Sequence, residues 1–198
     1  LEKAVALRML RADVPVGSYL SGGLDSSLVA ALGLRAKGGE SFCTFSIRFE
    51  DTEYDETAFQ RMMAARLGSE HREVIVSRGG IAEALPEVVW HAERPMLRTA
   101  PVPLYLLSQI VRRAGIKVVL TGEGADEVFA GYDIFREGKV RRFWARQPHS
   151  TRRPQLLGRM YPYLARSPVA LPALARQFFG RDLDRWQAPG FAHQPRWQ

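Results

Sequence analysis

Lysine is scarce and unevenly placed in this chain. None lies between Lys3 and Lys37, and none follows Lys139. The first gap excludes the common nucleotide-binding pattern GxxxxGK[ST], whose lysine reaches the terminal phosphates. Cysteine is rarer still. Cys43 stands alone, which excludes an internal disulfide framework and fits a reducing compartment. Because Cys43 sits in an apolar run, it reads as a buried structural thiol and not as a nucleophile. No stretch approaches the roughly 20 apolar residues of a membrane span, and the N-terminus has no signal-peptide pattern. The expected location is the cytoplasm, with no membrane partner. Acids are scarce only near the C-terminus. Residues 1–140 carry 17 Lys+Arg and 19 Asp+Glu, a net of −2, whereas residues 141–198 carry 11 Arg and 2 Asp, a net of +9. The basic character therefore lies outside the segment that carries the motifs below, and no nucleic-acid partner is expected. The C-terminal arginines read as a solvated helical face, the alternative being a surface for a missing piece of protein.

What is present is an ordinary globular composition, 46% hydrophobic and 25% charged over 198 residues, enough for one sizeable core. The segment that organises it is Val16-Gly17-Ser18-Tyr19-Leu20-Ser21-Gly22-Gly23-Leu24-Asp25-Ser26-Ser27. A short apolar run ends at Leu20 and stops at Ser-Gly-Gly. Helical spacing then begins with Leu28, Val29 and Leu32. Strand, glycine turn and helix together aim free backbone N–H groups at one point. Ser21, Ser26 and Ser27 add hydroxyls, and the helix dipole favours an anion there. The competing reading is a plain strand–helix turn with serine caps. The whole string favours a phosphate cradle. Asp25 lies inside it, and a carboxylate beside phosphates is repelled unless a divalent cation lies between them, which implies Mg²⁺.

Along the chain, a short helix is predicted over 2–11 with Val5, Leu7 and Leu10 apolar, then strand 16–20 and the cradle helix, closed by Lys37-Gly38-Gly39. Strand 42–47 follows. The acidic stretch 50–56 opens a helix with apolar positions Phe59, Met62, Met63 and Leu67, ending at Gly68. Strand 71–76 precedes helix 81–91, which Pro86 is expected to bend or break. Residues 93–103 read as an extended loop and 104–114 as an apolar helix. The run 116–120 reads as a central strand buried on both faces. This alternation predicts an α/β fold with a doubly wound parallel sheet and right-handed crossovers. Beyond Tyr132 the sheet pattern ends. Helical pieces are predicted over 155–164 and 169–179, and Pro195-Arg196-Trp197-Gln198 closes without a final element.

A second turn, Leu120-Thr121-Gly122-Glu123-Gly124-Ala125-Asp126-Glu127, repeats the logic of the first at the end of another strand. Ligands of open α/β sheets collect at the carboxyl ends of strands, so both turns are expected to face one crevice. A helix N-terminus satisfying its dipole accounts for one of the three acids but not for all three beside two glycines. With Mg²⁺, Asp25 and Asp126 become a credible pair of ligands.

Ser-Gly-Gly-Leu-Asp-Ser-Ser, followed about a hundred residues later by Val-Leu-Thr-Gly-Glu-Gly-Ala-Asp-Glu-Val-Phe-Ala-Gly-Tyr, resembles the synthetase domain of glutamine-hydrolysing asparagine synthetases, which are N-type ATP pyrophosphatases. Pro103-Leu104-Tyr105-Leu106-Leu107-Ser108 fits the same family, and the match runs from Val14 to Tyr132 and more loosely beyond. The resemblance implies the adenine nucleotide alpha hydrolase-like fold with a helical C-terminal extension. The chain as a whole, 1–198, would be one incomplete domain with its core at 14–132 and the extension at 141–198. It also implies adenylation of aspartate or a similar carboxylate by ATP, release of pyrophosphate, and displacement of AMP by ammonia to give an amide. By the same resemblance Ser21, Gly22, Gly23, Asp25, Ser26 and Ser27 form the pyrophosphate loop, and Asp25 and Asp126 are the Mg²⁺–pyrophosphate carboxylates. Leu20, Ile47, Thr121 and Gly122 hold the adenosine. Glu123 takes a proton from the attacking ammonia, and Arg98 is placed to hold an acidic substrate by a bidentate pair.

Three departures from that pattern stand out. The family's glutaminase domain, whose nucleophile is a first-residue cysteine, has no counterpart here, so ammonia would come from elsewhere. The family's downstream lysine is missing after Lys139. Ala130 stands where the family often has glycine. The chain by itself is expected to be inactive, and the full-length protein a possible homodimer. The alternatives are a β-lactam synthetase or other amidotransferase acting on a different carboxylate, and a non-catalytic nucleotide-binding remnant.

Overall fold

The computed structural model describes residues 1–38, 41–162 and 169–192. The chain divides into two compact units, Leu1–Gly122 and Glu123–Gln198.

The first unit is α/β. In order it contains α1 (Glu2–Leu10), β1 (Val16–Tyr19), α2 (Leu24–Ala36), β2 (Cys43–Phe49), α3 (Thr57–Leu67), β3 (Glu70–Val76), α4 (Arg78–Ala92), α5 (Pro101–Arg113) and β4 (Val118–Leu120). The four strands form one sheet in the order β3-β2-β1-β4, every pair parallel. Val16 pairs with Val118 and Ser18 with Leu120 on one side of β1, while Ser18 pairs with Thr44 on the other. Period-two alternation divides the apolar side chains between the two faces. Val16, Leu20, Phe42 and Leu120 join Val5, Val29, Ala30 and Ala64 from α1, α2 and α3. On the opposite face Phe45 packs with Leu107, Val111 and Ile116. Gly17 serves this packing, because a Cβ there would stand 2.9 Å from the Phe45 ring. No helix among the described residues is long and apolar enough to cross a membrane.

Several expectations are corrected. The run 116–120 is not a central strand. Only Val118–Leu120 is extended, it pairs with β1 alone, and Val118 is 38% exposed. Ile116 is buried by α5 instead, so burial in this run comes from two different partners. In α3 the buried residues are Thr57, Gln60 and Ala64, while Met63 and Leu67 are partly buried and Phe59 is 62% exposed, as Met62 largely is too. The buried Gln60 amide donates to the Ile47 carbonyl at 3.0 Å, which makes a polar side chain acceptable inside. Of the three apolar positions in α1 only Val5 is buried, and Leu28 of α2 is exposed. α4 starts at Arg78, where the Ser77 hydroxyl caps the Gly80 N–H at 2.9 Å, and it runs unbroken through Pro86. Pro86 and Ala82, whose carbonyl loses its helical partner, both lie on the exposed side, where solvent is available to that carbonyl. Proline at the first turn starts α5 at Pro101, shortening the predicted loop by its last three residues. Cys43 is half-buried. Its thiol lies 3.7 Å from Glu70, and burial, then the Glu70 charge, push its pKa up, which disfavours the nucleophilic thiolate.

The second unit is helical: α6 (Ala125–Phe129), α7 (Asp133–Ala145), a 3₁₀ turn over Arg153–Arg159, α8 (Pro172–Phe179) and a short turn at Leu183–Arg185. Its core gathers Trp144, Leu157, Met160, Phe179, Leu183 and Phe191. The helical piece predicted over 155–164 is a 3₁₀ turn, and its last two residues lie outside the described residues. The piece predicted over 169–179 begins only at Pro172. Gly39 and the closing Pro195–Gln198 also lie outside them. At the centre of the unit is Arg141, fully buried on α7. It donates to the carbonyls of Phe179 at 2.9 Å, Arg181 at 2.7 Å and Phe191, and its guanidinium lies 3.9 Å over the Phe191 ring. One cation thus satisfies three backbone carbonyls, one at the C-terminal end of α8 and two in the turns beyond it.

Candidate functional site

Sheet order fixes where a ligand can collect. The chain builds outward from β1 to β2 to β3 and then returns to add β4 on the opposite side of β1. The order reverses between β1 and β4, and crevices at such points, off the carboxyl ends of the strands, are where open α/β sheets bind ligands. Ser21 follows β1 there, and Thr121 and Gly122 follow β4.

The first turn is built by hydrogen bonds among its own side chains. The Ser21 N–H donates to the Ser26 hydroxyl at 3.1 Å, the two hydroxyls lie 2.9 Å apart, and the Gly23 N–H meets the Ser21 oxygen at 3.3 Å. Gly22 has φ +83°, and a Cβ there would stand 2.8 Å from Phe59 Cβ and 3.0 Å from the Gln60 nitrogen, so α3 backs the turn directly. No other residue fits both the left-handed backbone and that space. Asp25 sits half-buried in the first turn of α2 without capping it, and the buried Ser27 hydroxyl has no hydrogen-bond partner. Gly122 has an ordinary backbone, yet a Cβ on it would come within 3.1 Å of the Ser26 nitrogen and 3.2 Å of Asp25 Cβ. The start of the second motif therefore lies flat against the N-terminus of α2.

The structure thus brings together Ser21, Gly22, Gly23, Asp25, Ser26 and Gly122. Leu20 is buried beneath them, its N–H held by the Phe45 carbonyl at 2.8 Å, and Thr121 is exposed. Ile47 is half-buried on β2 with its carbonyl engaged by Gln60. Arg98 is exposed and lines a different cavity of about 530 Å³ with Leu85, Val89, Met96, Leu97 and Thr99, none of which belongs to the cradle. A larger cavity, about 690 Å³, opens off the ends of β2 and β3. On its rim Arg78 pairs with Asp51 at 2.6 Å, which holds the Asp51 carboxyl below its usual pKa. Gln60 was not among the sequence candidates. Its only sequence signal is a polar residue beside the apolar Phe59.

The second unit carries Glu123, Asp126 and Glu127. Gly124 opens α6 at φ +86°, and Ala130 closes it at φ 59°, ψ 42°. An alanine in the left-handed region is strained by about 1–2 kcal/mol, which gives the preference for glycine at this position a backbone cause. Ala130→Gly is expected to stabilise the protein by about 0.5–1 kcal/mol, part of the gain being lost to the freer unfolded chain. Urea unfolding of the two proteins measures it, and an unchanged or lower midpoint would contradict the strain.

A family model described as asparagine synthase matches residues 1–197. The chain is 43% identical over 137 residues to a putative glutamine-hydrolyzing asparagine synthetase of Mycobacterium tuberculosis, covering 69% of this chain and 20% of that protein. It is 40% identical over 128 residues to asparagine synthetase 1 of Bacillus subtilis, covering 65% and 20%. With amidase chyE of Penicillium rubens it shares 41% over 150 residues, covering 69% and 22%. It spans about a fifth of the length of these relatives. With its parallel sheet and both glycine turns in place, the chain belongs to the asparagine synthase family.

Proposed function

We propose that this chain is part of an ATP-dependent amide synthetase that adenylates aspartate and passes the acyl group to ammonia, giving asparagine. The observation that carries the reading is the placement of both glycine turns at the carboxyl ends of neighbouring strands, where the sheet order reverses, with Gly122 packed on Ser26 and Asp25.

In this reading the Ser21–Ser27 turn receives the β and γ phosphates, and Leu20, Ile47, Thr121 and Gly122 hold the adenosine. The side-chain carboxylate of aspartate attacks the α-phosphorus. The bond from that phosphorus to the bridging oxygen breaks, and pyrophosphate leaves into the cradle. Ammonia then attacks the acyl carbon, the carbon–oxygen bond to AMP breaks, and Glu123 accepts the surplus proton. The cradle's serines and backbone N–H groups stabilise the charge that builds on the leaving pyrophosphate. Asp25 and Asp126 are the residues that would hold Mg²⁺, whose contribution when bound is to neutralise phosphate charge. The donor set suits it: Asp25 is a hard oxygen ligand in a turn that lacks lysine. Among the described residues no three His, Cys, Asp or Glu side chains form a metal cluster, so the ion is read as arriving with the phosphates.

A second reading, activation of a different carboxylate, is kept because a relative with a different printed activity, an amidase, is 41% identical, against 43% and 40% for the two synthetases. Pyrophosphate release by the full-length protein, with ATP, Mg²⁺, ammonia and a panel of carboxylic acids, decides between them. Aspartate is expected to give the largest rate. Release with none of the acids would defeat both readings. In the same assay Glu123→Ala is expected to keep aspartate-dependent pyrophosphate–ATP exchange while amide formation falls by about 10²–10⁴-fold. Normal asparagine yield from supplied ammonia would remove Glu123 from that role.

A further inference from the structure

Gly131 is a glycine for which its own backbone gives no reason. Its φ is outside the left-handed region, whereas the residue before it, Ala130, is inside. What stands in the way of a side chain is Asp126. A Cβ on Gly131 would collide with the Asp126 Oδ1, and would stand 3.0 Å from its Cγ and 3.4 Å from its Cα. The Gly131 N–H also donates to the Asp126 carbonyl at 3.0 Å, so main chain and carboxylate are gathered at the same corner. Of the two neighbouring acids, Glu127 is already engaged: the Tyr132 hydroxyl donates to its Oε1 at 3.1 Å. That bond and the Glu127 charge first, then burial, and then the charges of Asp126 and Glu123, push the Tyr132 phenol up.

We infer that Gly131 is a positioning residue for Asp126. By carrying no side chain it provides the seat that fixes the Asp126 carboxylate, while Tyr132 holds Glu127 aside. The inference rests on the reading of Asp126 as a Mg²⁺–pyrophosphate ligand, and it adds the residue that sets where that ligand stands. A methyl group at 131 would turn the carboxylate out of its seat, because the neighbouring obstacle is the side chain itself and the backbone can accept alanine.

Four full-length proteins test this: the wild type, Gly131→Ala, Asp126→Ala and the double variant. Each is titrated with Mn²⁺ in the presence of ATP, free Mn²⁺ being read by electron paramagnetic resonance, and each is unfolded thermally. Gly131→Ala is expected to raise the Mn²⁺ dissociation constant about tenfold or more, the usual consequence of losing a group that orients a ligand. It is also expected to lower the unfolding midpoint. Both effects disappear in the Asp126→Ala background, where the collision no longer exists. Failure of Gly131→Ala to fold while the double variant folds supports the seat equally. Equal losses in both backgrounds, or none with Asp126 present, overturn it. If Asp126→Ala leaves Mn²⁺ affinity at the wild-type value, the metal reading fails, and a stability loss confined to proteins with Asp126 would still support the seat.

Discussion

Replacing Asp25 with alanine in the full-length protein is expected to reduce Mg²⁺-dependent pyrophosphate release by at least about 10²-fold, the scale of losing one preorganised electrostatic group from a reaction centre. The fold should hardly notice. Asp25 makes no capping hydrogen bond and lies only half-buried at the first turn of α2. Its stabilising contribution is the attraction of a carboxylate to the helix N-terminus, about 0.3–1 kcal/mol. Activity and stability therefore respond on different scales, and that separation is the point of the experiment. Pyrophosphate release and a thermal melt on the same preparation measure both. Asparagine at 25 keeps the shape and removes the charge, so it is expected to behave as alanine does. Wild-type release by either variant would remove Asp25 from the Mg²⁺ assignment, and a large fall in the melting temperature would make it a structural residue instead.

The second large effect is on folding. Arg141→Met removes a buried cation and leaves the carbonyls of Phe179, Arg181 and Phe191 without their shared donor. Breaking a buried charged network from one side costs about 3–5 kcal/mol, and each carbonyl left unsatisfied contributes about 1–3 kcal/mol to such a loss. Methionine recovers some packing against the Phe191 ring but no hydrogen bond. Lysine is not expected to rescue the loss, because a single ammonium cannot reproduce the planar fork that reaches three carbonyls while stacked on a ring. Urea unfolding followed by tryptophan fluorescence, to which Trp144 buried in the same core contributes, reports it. A loss under about 1 kcal/mol would mean that water reaches those carbonyls.

The parts of the molecule legible in its sequence are those fixed by local chemistry. Ser21-Gly22-Gly23 announces a turn between strand and helix because glycine and serine solve a backbone problem within five residues, and Gly68 ends α3 for the same reason, with φ +61°. Alternation of apolar strands with helices likewise gave a parallel sheet. What escaped the reading depends on partners far away in the chain. The run 116–120 looks the same whether a second strand or α5 covers it, so its edge position was invisible. Gln60 is buried because the Ile47 carbonyl, thirteen positions away, receives its amide. The helix α7 was missed because its buried side includes Glu137 and Arg141, charges that periodicity assigns to solvent. In the candidate site the cradle residues and Gly122 could be named from motif chemistry, whereas Gly131 could be named only as part of a string. Its collision with Asp126 exists only in three dimensions.

The order β3-β2-β1-β4 has a kinetic consequence. The Ser18 hydroxyl reaches the Leu120 carbonyl at 3.3 Å across 102 positions of sequence, so the cradle and the Thr121 turn become neighbours only when that long loop closes. Closure of so long a loop must be met before the contacts it brings can repay it. Strands β1 to β3 and the helices between them can pair sequentially, each step short, but the two turns cannot meet until β4 docks on the far side of β1. In the proposed function, recognition of the ligand is thereby tied to closure of that loop. A chain whose β1–β3 segment is formed and whose β4 is still free has three strands of its sheet but only one of the two turns in place.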